Sequence, residues 1–249
     1  MDPSLIAALV AAAVAAGFVD AIAGGGGLIT VPVLMLAGLS PDQALATNKV
    51  QGSFGAATAA VSYARSGLVD LRAQLPTAAL AFAAGVAGAL LVTALPTQGL
   101  RVVLPVVLIG IALFFALKPG LTDLDRAARI APGLFALTAV PAIGFYDGLI
   151  GPGAGAFYML AFVSLAGFGI LRATAHTKLL NLASNLGGLT AFAVTGHPLW
   201  LVGLSMGAGQ MLGAWLGSRL ALRIGAGVIK PLLVVTSTAL ALRLLWQMI

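Results

Sequence analysis

Two lysines, Lys49 and Lys178, stand inside long apolar stretches of the chain, each beside short polar side chains. Lys49 lies about 12 Å into the helix expected to start at Pro41. A charge at that depth in a membrane faces the protein interior and has a partner. Asn48, Gln51 and Ser53 cluster around Lys49. Thr174, Lys178, Asn181 and Asn185 recur at helical spacing and form one polar stripe, with Thr177 beside it. Ammonium, amide and hydroxyl donors together suit the oxygens of a small anion. The competing reading ties each lysine to Asp20 or Asp147, or lets it snorkel to the interface, and spends the amides on interhelical hydrogen bonds.

Glycine-rich breaks supply the second half of this chemistry. Gly24, Gly25, Gly26 and Gly27 form one run, and Gly151 and Gly153 form another. A half-helix starting after Gly27 or Gly153 presents free backbone N–H groups and the positive end of its dipole, a ready anion site. Close helix packing would also explain the glycines. Asp20 and Asp147 precede the two breaks and could relay protons, but pairing with the lysines or capping the half-helices is the favoured role. His176 adjoins Lys178 and either tunes it with pH or packs as a polar side chain.

Intramembrane aspartyl proteolysis also needs two membrane aspartates, and Tyr146-Asp147 fits one half of that pattern. The other half, Gly-x-Gly-Asp, is missing, so no enzyme activity is expected. There are no cysteines and two histidines, His176 and His197, so neither a metal site nor a cofactor is expected.

These residues belong to a chain that is 60% hydrophobic and 8% charged, where a soluble domain carries about 25% charged residues. Apolar runs of roughly twenty residues recur, each long enough to cross a bilayer. The net charge of +6 is spread singly at the ends of those runs. That pattern follows the positive-inside rule rather than a nucleic-acid surface. Met1-Asp2-Pro3-Ser4 has no basic residue before the first apolar run, which reads as a membrane segment rather than a cleaved signal. Trp200, Trp215 and Trp246 read as interfacial anchors. Gly209, Gly213 and Gly217 form a helix-contact face, serving either the bundle or a homodimer.

An internal repeat organises the elements. Gly17-Phe18-Val19-Asp20-Ala21-Ile22-Ala23-Gly24-Gly25-Gly26 matches Gly144-Phe145-Tyr146-Asp147-Gly148-Leu149-Ile150-Gly151-Pro152-Gly153. Ala46-Thr47-Asn48-Lys49 matches Ala175-His176-Thr177-Lys178, Gly88-Ala89 matches Gly213-Ala214, and Pro105 matches Pro231. The halves are therefore 1–120 and 121–249. Each has a Gly-broken element (about 5–38 and 130–168) and three helices (about 42–65, 73–95 and 99–117; then 171–195, 198–220 and 226–247).

Lys and Arg placement tests whether the broken elements cross. If they do, the basic residues outside helices divide six against five. If they enter and return, Arg65, Arg72, Lys118, Arg126, Arg129, Arg172, Arg219, Arg223 and Lys230 share one side, against Arg101 and Arg243. The second division carries a positive-inside signal. It leaves three crossings per half, which inverts one half against the other. The expected fold is thus an all-α integral membrane protein of two inverted repeats, each with a re-entrant element plus three transmembrane helices.

With these motifs the chain resembles the TauE/SafE family of membrane permeases, the sulfite exporters. The resemblance rests on Gly17–Pro32, on Ala46-Thr47-Asn48-Lys49 with Gly52, and on the second copy around Gly144–Gly155 and Lys178, and it covers essentially the whole chain. It implies a multi-pass protein of a bacterial inner membrane that moves sulfite, sulfonates or related small anions. Its partners would be that anion and the lipid bilayer, with no nucleic acid. A carrier and an anion channel both fit. The second glycine run is Gly-Pro-Gly-Ala-Gly rather than four glycines, so the halves need not bind alike.

Overall fold

A computed structural model describes residues 2–94, 123–195, 198–225, 227–229 and 231–232. The expected helix 99–117, nearly all of the expected helix 226–247, the boundary near residue 120, and Arg101, Pro105, Lys118, His197, Lys230, Arg243 and Trp246 lie outside the described residues. Among the described residues every regular element is a helix.

The first half opens with α1, Pro3–Ala23. Asp2 caps it by accepting the Ser4 amide, and Pro3 occupies the first turn, where its missing N–H costs nothing. Gly24 ends it in the left-handed region at φ 76°. The 21 residues span about 32 Å. Helix α2, Gly26–Leu36, is about half that length. Helix α3, Pro41–Arg65, starts where the Gln43 side chain accepts from the Ser40 amide, with Asp42 in its first turn and Arg65 in its last. Helix α4 is Leu71–Ala94.

The second half repeats the pattern with one more interruption. Its first element is divided into α5, Pro132–Leu137, and α6, Ala139–Leu149. The break at Thr138 has a cause in Pro141, which cannot donate to the Leu137 carbonyl. Helix α7, Ala154–Ser164, follows Gly151 and Gly153, both in the left-handed region. Helices α8, Ile170–Thr195, and α9, Trp200–Ile224, complete the described part.

The two halves interlock. Helix α1 packs along α9 and α6 packs along α4, while α3 and α8 sit between them. Glycines make these approaches possible. A Cβ on Gly88 would stand 2.0 Å from the Phe145 carbonyl oxygen, and one on Gly213 would stand 2.0 Å from that of Val14. Gly209 and Gly217 continue the second contact along α1, so the glycine stripe of α9 is occupied within the chain.

Two apolar clusters lie on either side of a polar middle. One gathers Leu9, Leu34, Leu39, Leu45, Phe192 and Val202. The other gathers Tyr63, Ala78, Phe135, Phe162, Ile170 and Ala221. Beyond the second cluster, the Arg129 amide donates to Leu165, the Gly169 amide to Asp125, and Gln74 Nε2 to the His176 carbonyl. Arg126, Arg129 and Arg172 belong to this end, the last bonded to Asp125. Arg219 stacks over the Trp215 ring at 4.0 Å.

The molecule exposes large apolar side chains and encloses charged and polar ones in its core. Leu36, Leu137, Val194 and Leu201 are among its most exposed side chains, while Lys49, Gln51, Lys178 and Ser184 are buried. A soluble protein would place them the other way round. Helices α1 and α4 are long and apolar enough to cross a membrane by themselves. Helices α3 and α8 carry the buried polar residues, which lower their mean hydropathy.

Candidate functional site

The two glycine breaks meet in the polar middle. Gly24 and Gly155 are in backbone contact, and a Cβ on Gly24 would come within 2.4 Å of the Ala156 amide nitrogen. That amide donates to the Gly24 carbonyl at 3.1 Å. Gly27 lies against Pro152. The starts of α2 and α7 thus border one small cavity. Its lining is mostly polar and includes Asp20, Asp147, Asn48, Asn181, Asn185 and Gln210.

Each lysine pairs with an aspartate of the other half. Lys49 Nζ donates to the Asp147 carbonyl and stands 2.5 Å from Asp147 Oδ1. Lys178 Nζ donates to the Asp20 carbonyl and is 3.7 Å from Asp20 Oδ2. Both ammonium groups are fully enclosed, and neither lysine lines the cavity. The lysines, foreseen as anion anchors or as partners of Asp20 and Asp147, are thus each placed against an aspartate of the other half. Gly151 has a role here, since a Cβ on it would lie 2.7 Å from Lys49 Nζ.

The two pairs are not alike. Asp147 also accepts from Ser184 Oγ and from Asn185 Nδ2 at 3.3 Å, and its side chain is 2% exposed. Asp20 Oδ1 accepts the Gly26 amide at 3.0 Å, which caps α2. Asp20 Oδ2 accepts no hydrogen bond from the described residues, and this side chain is 15% exposed.

Two asparagines are held with a fixed polarity. Gln210 Nε2 donates to Gln51 Oε1 at 2.7 Å, and Gln51 Nε2 donates to Asn48 Oδ1 at 2.7 Å. Thr30 Oγ1 donates to the same Oδ1 at 2.6 Å. With its oxygen occupied, Asn48 turns Nδ2 towards Gly27 and the start of α2. On the other side Asn185 Nδ2 donates to Asn181 Oδ1 at 3.0 Å, and Asn181 Nδ2 lies by Gly155 in the first turn of α7. Neither Nδ2 has a partner among the described residues, and both side chains are more than nine-tenths buried.

A family model described as sulfite exporter TauE/SafE matches residues 9–244. The chain belongs to the TauE/SafE family. It is 56% identical over 241 residues to a probable membrane transporter protein, ORF9, of a Sinorhizobium species, across 97% of this chain and 92% of that one. It is 46% identical over 247 residues to the probable membrane transporter protein YfcA of Escherichia coli K12, across 99% and 92%. A probable membrane transporter protein of Haemophilus influenzae is 39% identical over 243 residues, across 98% and 95%. No solved structure matches. This TauE/SafE member is accordingly a membrane transporter protein.

In this TauE/SafE member the cavity gathers Asp20, Gly24, Gly26, Gly27, Asn48, Asp147, Gly151, Gly153, Asn181 and Asn185 of the foreseen residues. Gly25 immediately precedes α2 and does not line the cavity. Gln51 stands behind Asn48, while Ser53 and Thr177 donate to helix carbonyls. His176 sits away from the site, its ring packed on Phe168 at 4.9 Å and Phe162 at 5.6 Å. Thr30, Ser184 and Gln210 were not foreseen, and Gly52 and Gly155 were marked only within the family motifs. Gln210 carried a signal: it is an uncharged amide alone between Gly209 and Gly213 in an apolar helix.

Proposed function

We propose that this protein carries a small oxoanion, sulfite or an organosulfonate, across a bacterial inner membrane, binding it between the two halves. The observation that carries the reading is the pair of buried asparagines whose carbonyl ends are tied down while their amide ends open on the cavity, beside the starts of α2 and α7. Two amide donors and two helix N-termini make a site for oxygens bearing negative charge. The lysine–aspartate pairs cancel in charge, so the donors attract the anion without the trapping strength of two bare ammonium groups. The description of the family, sulfite exporter, supports the substrate class.

The inverted-repeat reading draws support from three features. Helix α2 starts beside Ala16 and Asp20 of α1, and Leu34 near its end shares a cluster with Leu9, so it doubles back along α1. Leu45 near the start of α3 lies in that same cluster, whereas Ile170 at the start of the repeat-equivalent α8 lies in the other. The ion pairs cross reciprocally between the halves. Such an arrangement holds a binding site near the midplane between broken helices, and the arginine-rich end faces the cytoplasm. Each aspartate is bound by a lysine rather than sharing a proton with the other, which favours transport over aspartyl hydrolysis.

The test is thermal unfolding of the purified protein with sodium salts of sulfite, methanesulfonate, sulfate, acetate and chloride. A ligand at a hundred times its Kd stabilises by about 2.7 kcal/mol. Sulfite or the sulfonate should raise the midpoint above the chloride value. No difference between any of these anions and chloride would overturn the reading.

A further inference from the structure

The cavity presents an acceptor as well as donors, and this deepens the proposed function, on which it rests. Asn48 Nδ2 and Asn181 Nδ2 offer hydrogens. Asp20 Oδ2 offers an oxygen that takes no hydrogen bond from the described residues. Its nearest cation, Lys178 Nζ, forms an ion pair with it at 3.7 Å, beyond hydrogen-bond distance, and donates to the Asp20 carbonyl. An anion whose every oxygen is a bare acceptor would set a lone pair against that oxygen with no proton between them. We infer that the site selects a monoanion that keeps a proton of its own, hydrogensulfite rather than sulfite dianion, and that Asp20 is the residue that reads the proton. The ligand's O–H donates to Asp20 Oδ2 while its remaining oxygens accept from Asn48 and Asn181. Asp147 does not share the task, because Lys49, Ser184 and Asn185 already occupy its carboxylate.

The charged and titratable groups around Asp20 are few. Lys178 comes from α8, while Lys49 and Asp147 form the opposite pair. The hydroxyls of Tyr63, Tyr146 and Tyr158 donate to the backbone carbonyls of Ala21, Pro152 and Val140. A pH effect of the protein's own groups would act on every anion alike, whereas an effect of the ligand's proton acts on hydrogensulfite alone.

That difference defines the experiment. Binding of total sulfite and of methanesulfonate, a monoanion at both pH values with no O–H, is measured on the full-length protein in detergent at pH 6 and pH 8. The inference requires sulfite to bind several-fold more weakly at pH 8, in proportion to the loss of hydrogensulfite. It also requires methanesulfonate to bind more weakly than sulfite at pH 6 and equally at both pH values. In Asp20→Asn the preference for hydrogensulfite over methanesulfonate should shrink, and should that variant fail to fold, the two-ligand comparison on the unaltered protein decides. Parallel loss of both ligands with pH, or sulfite binding that does not change with pH, overturns the inference and leaves anion transport standing. Failure of both anions to bind at either pH overturns anion transport itself.

Discussion

Lys49 of the first half reaches across the molecule to Asp147 of the second, with 2.5 Å between Nζ and Oδ1 and both side chains buried. Lys178 and Asp20 form the reciprocal contact more loosely, at 3.7 Å. The two halves are thus joined by two charge pairs of unequal quality. The tight pair is closed by Ser184 and Asn185, whereas Asp20 of the loose one is the more exposed of the two aspartates, at 15% against 2%.

Removing one partner of a buried ion pair leaves an uncompensated charge, at a cost of about 3–5 kcal/mol. Lys49→Ala should therefore lower the stability of the purified protein by about that amount. Lys178→Ala should cost less, because Asp20 keeps access to the cavity. Thermal unfolding of the two variants in one detergent checks the order, and a larger loss for Lys178→Ala would contradict the assignment of Lys49–Asp147 as the tighter pair.

Gly24 combines a left-handed backbone with a contact that leaves no room for a Cβ. Gly24→Ala should sharply reduce the yield of folded protein, since the strain and the clash with Ala156 act together. Gly133→Ala is the matched control, because nothing lies within 4 Å of a Cβ there. Size-exclusion profiles of the two variants give the comparison, and equal profiles would place the crossing of the breaks elsewhere.

How much of this was legible in the sequence differs from element to element. The helix boundaries followed closely from apolar run length and from Pro41, Gly24 and Gly153, because each of those residues acts on its own backbone. Both lysines, both aspartates and the glycine runs were marked out by the cost of their burial and by the repeat. Which aspartate each lysine takes was not, since a pairing between halves depends on how α1 packs on α9 and α6 on α4. The orientation of Asn48 was hidden for the same reason: it is set by Thr30 from α2 and, through Gln51, by Gln210 from α9. The break at Thr138 could have been read from Pro141.

Gln210→Leu cuts the amide chain at its far end while leaving Asn48 and Asn181 in place. Asn48 should then lose part of its fixed orientation, and anion affinity should fall several-fold, in line with about 1 kcal/mol for one hydrogen bond. Titration calorimetry with sulfite measures it. Unchanged affinity in a folded Gln210→Leu protein would show that Asn48 needs no such support.

The arginine-rich end carries its own pH signature. The Gly169 amide, at 2.6 Å, and then Arg172 hold the Asp125 carboxyl below its ordinary value of 3.8. A depressed folded value means the stabilisation is present above the ordinary value and is lost as pH falls through the folded one. The pair is half-exposed, so its worth is under about 1 kcal/mol. Asp125→Asn should unfold slightly earlier than the parent at pH 7. The gap should close below pH 3.8, and a gap that persisted there would place the effect elsewhere than in the Asp125 charge.

The central claim is that Asn48 and Asn181 offer N–H donors to an oxoanion. Sulfite flux into proteoliposomes, compared between the parent, Asn48→Asp and Asn181→Asp, tests it most directly, because each change keeps the shape and replaces a donor with a negatively charged acceptor. The account predicts saturable flux in the parent and at least a tenfold loss in both variants that reconstitute as folded protein. Folded Asn48→Asp and Asn181→Asp proteins that carry sulfite at the parental rate would contradict it.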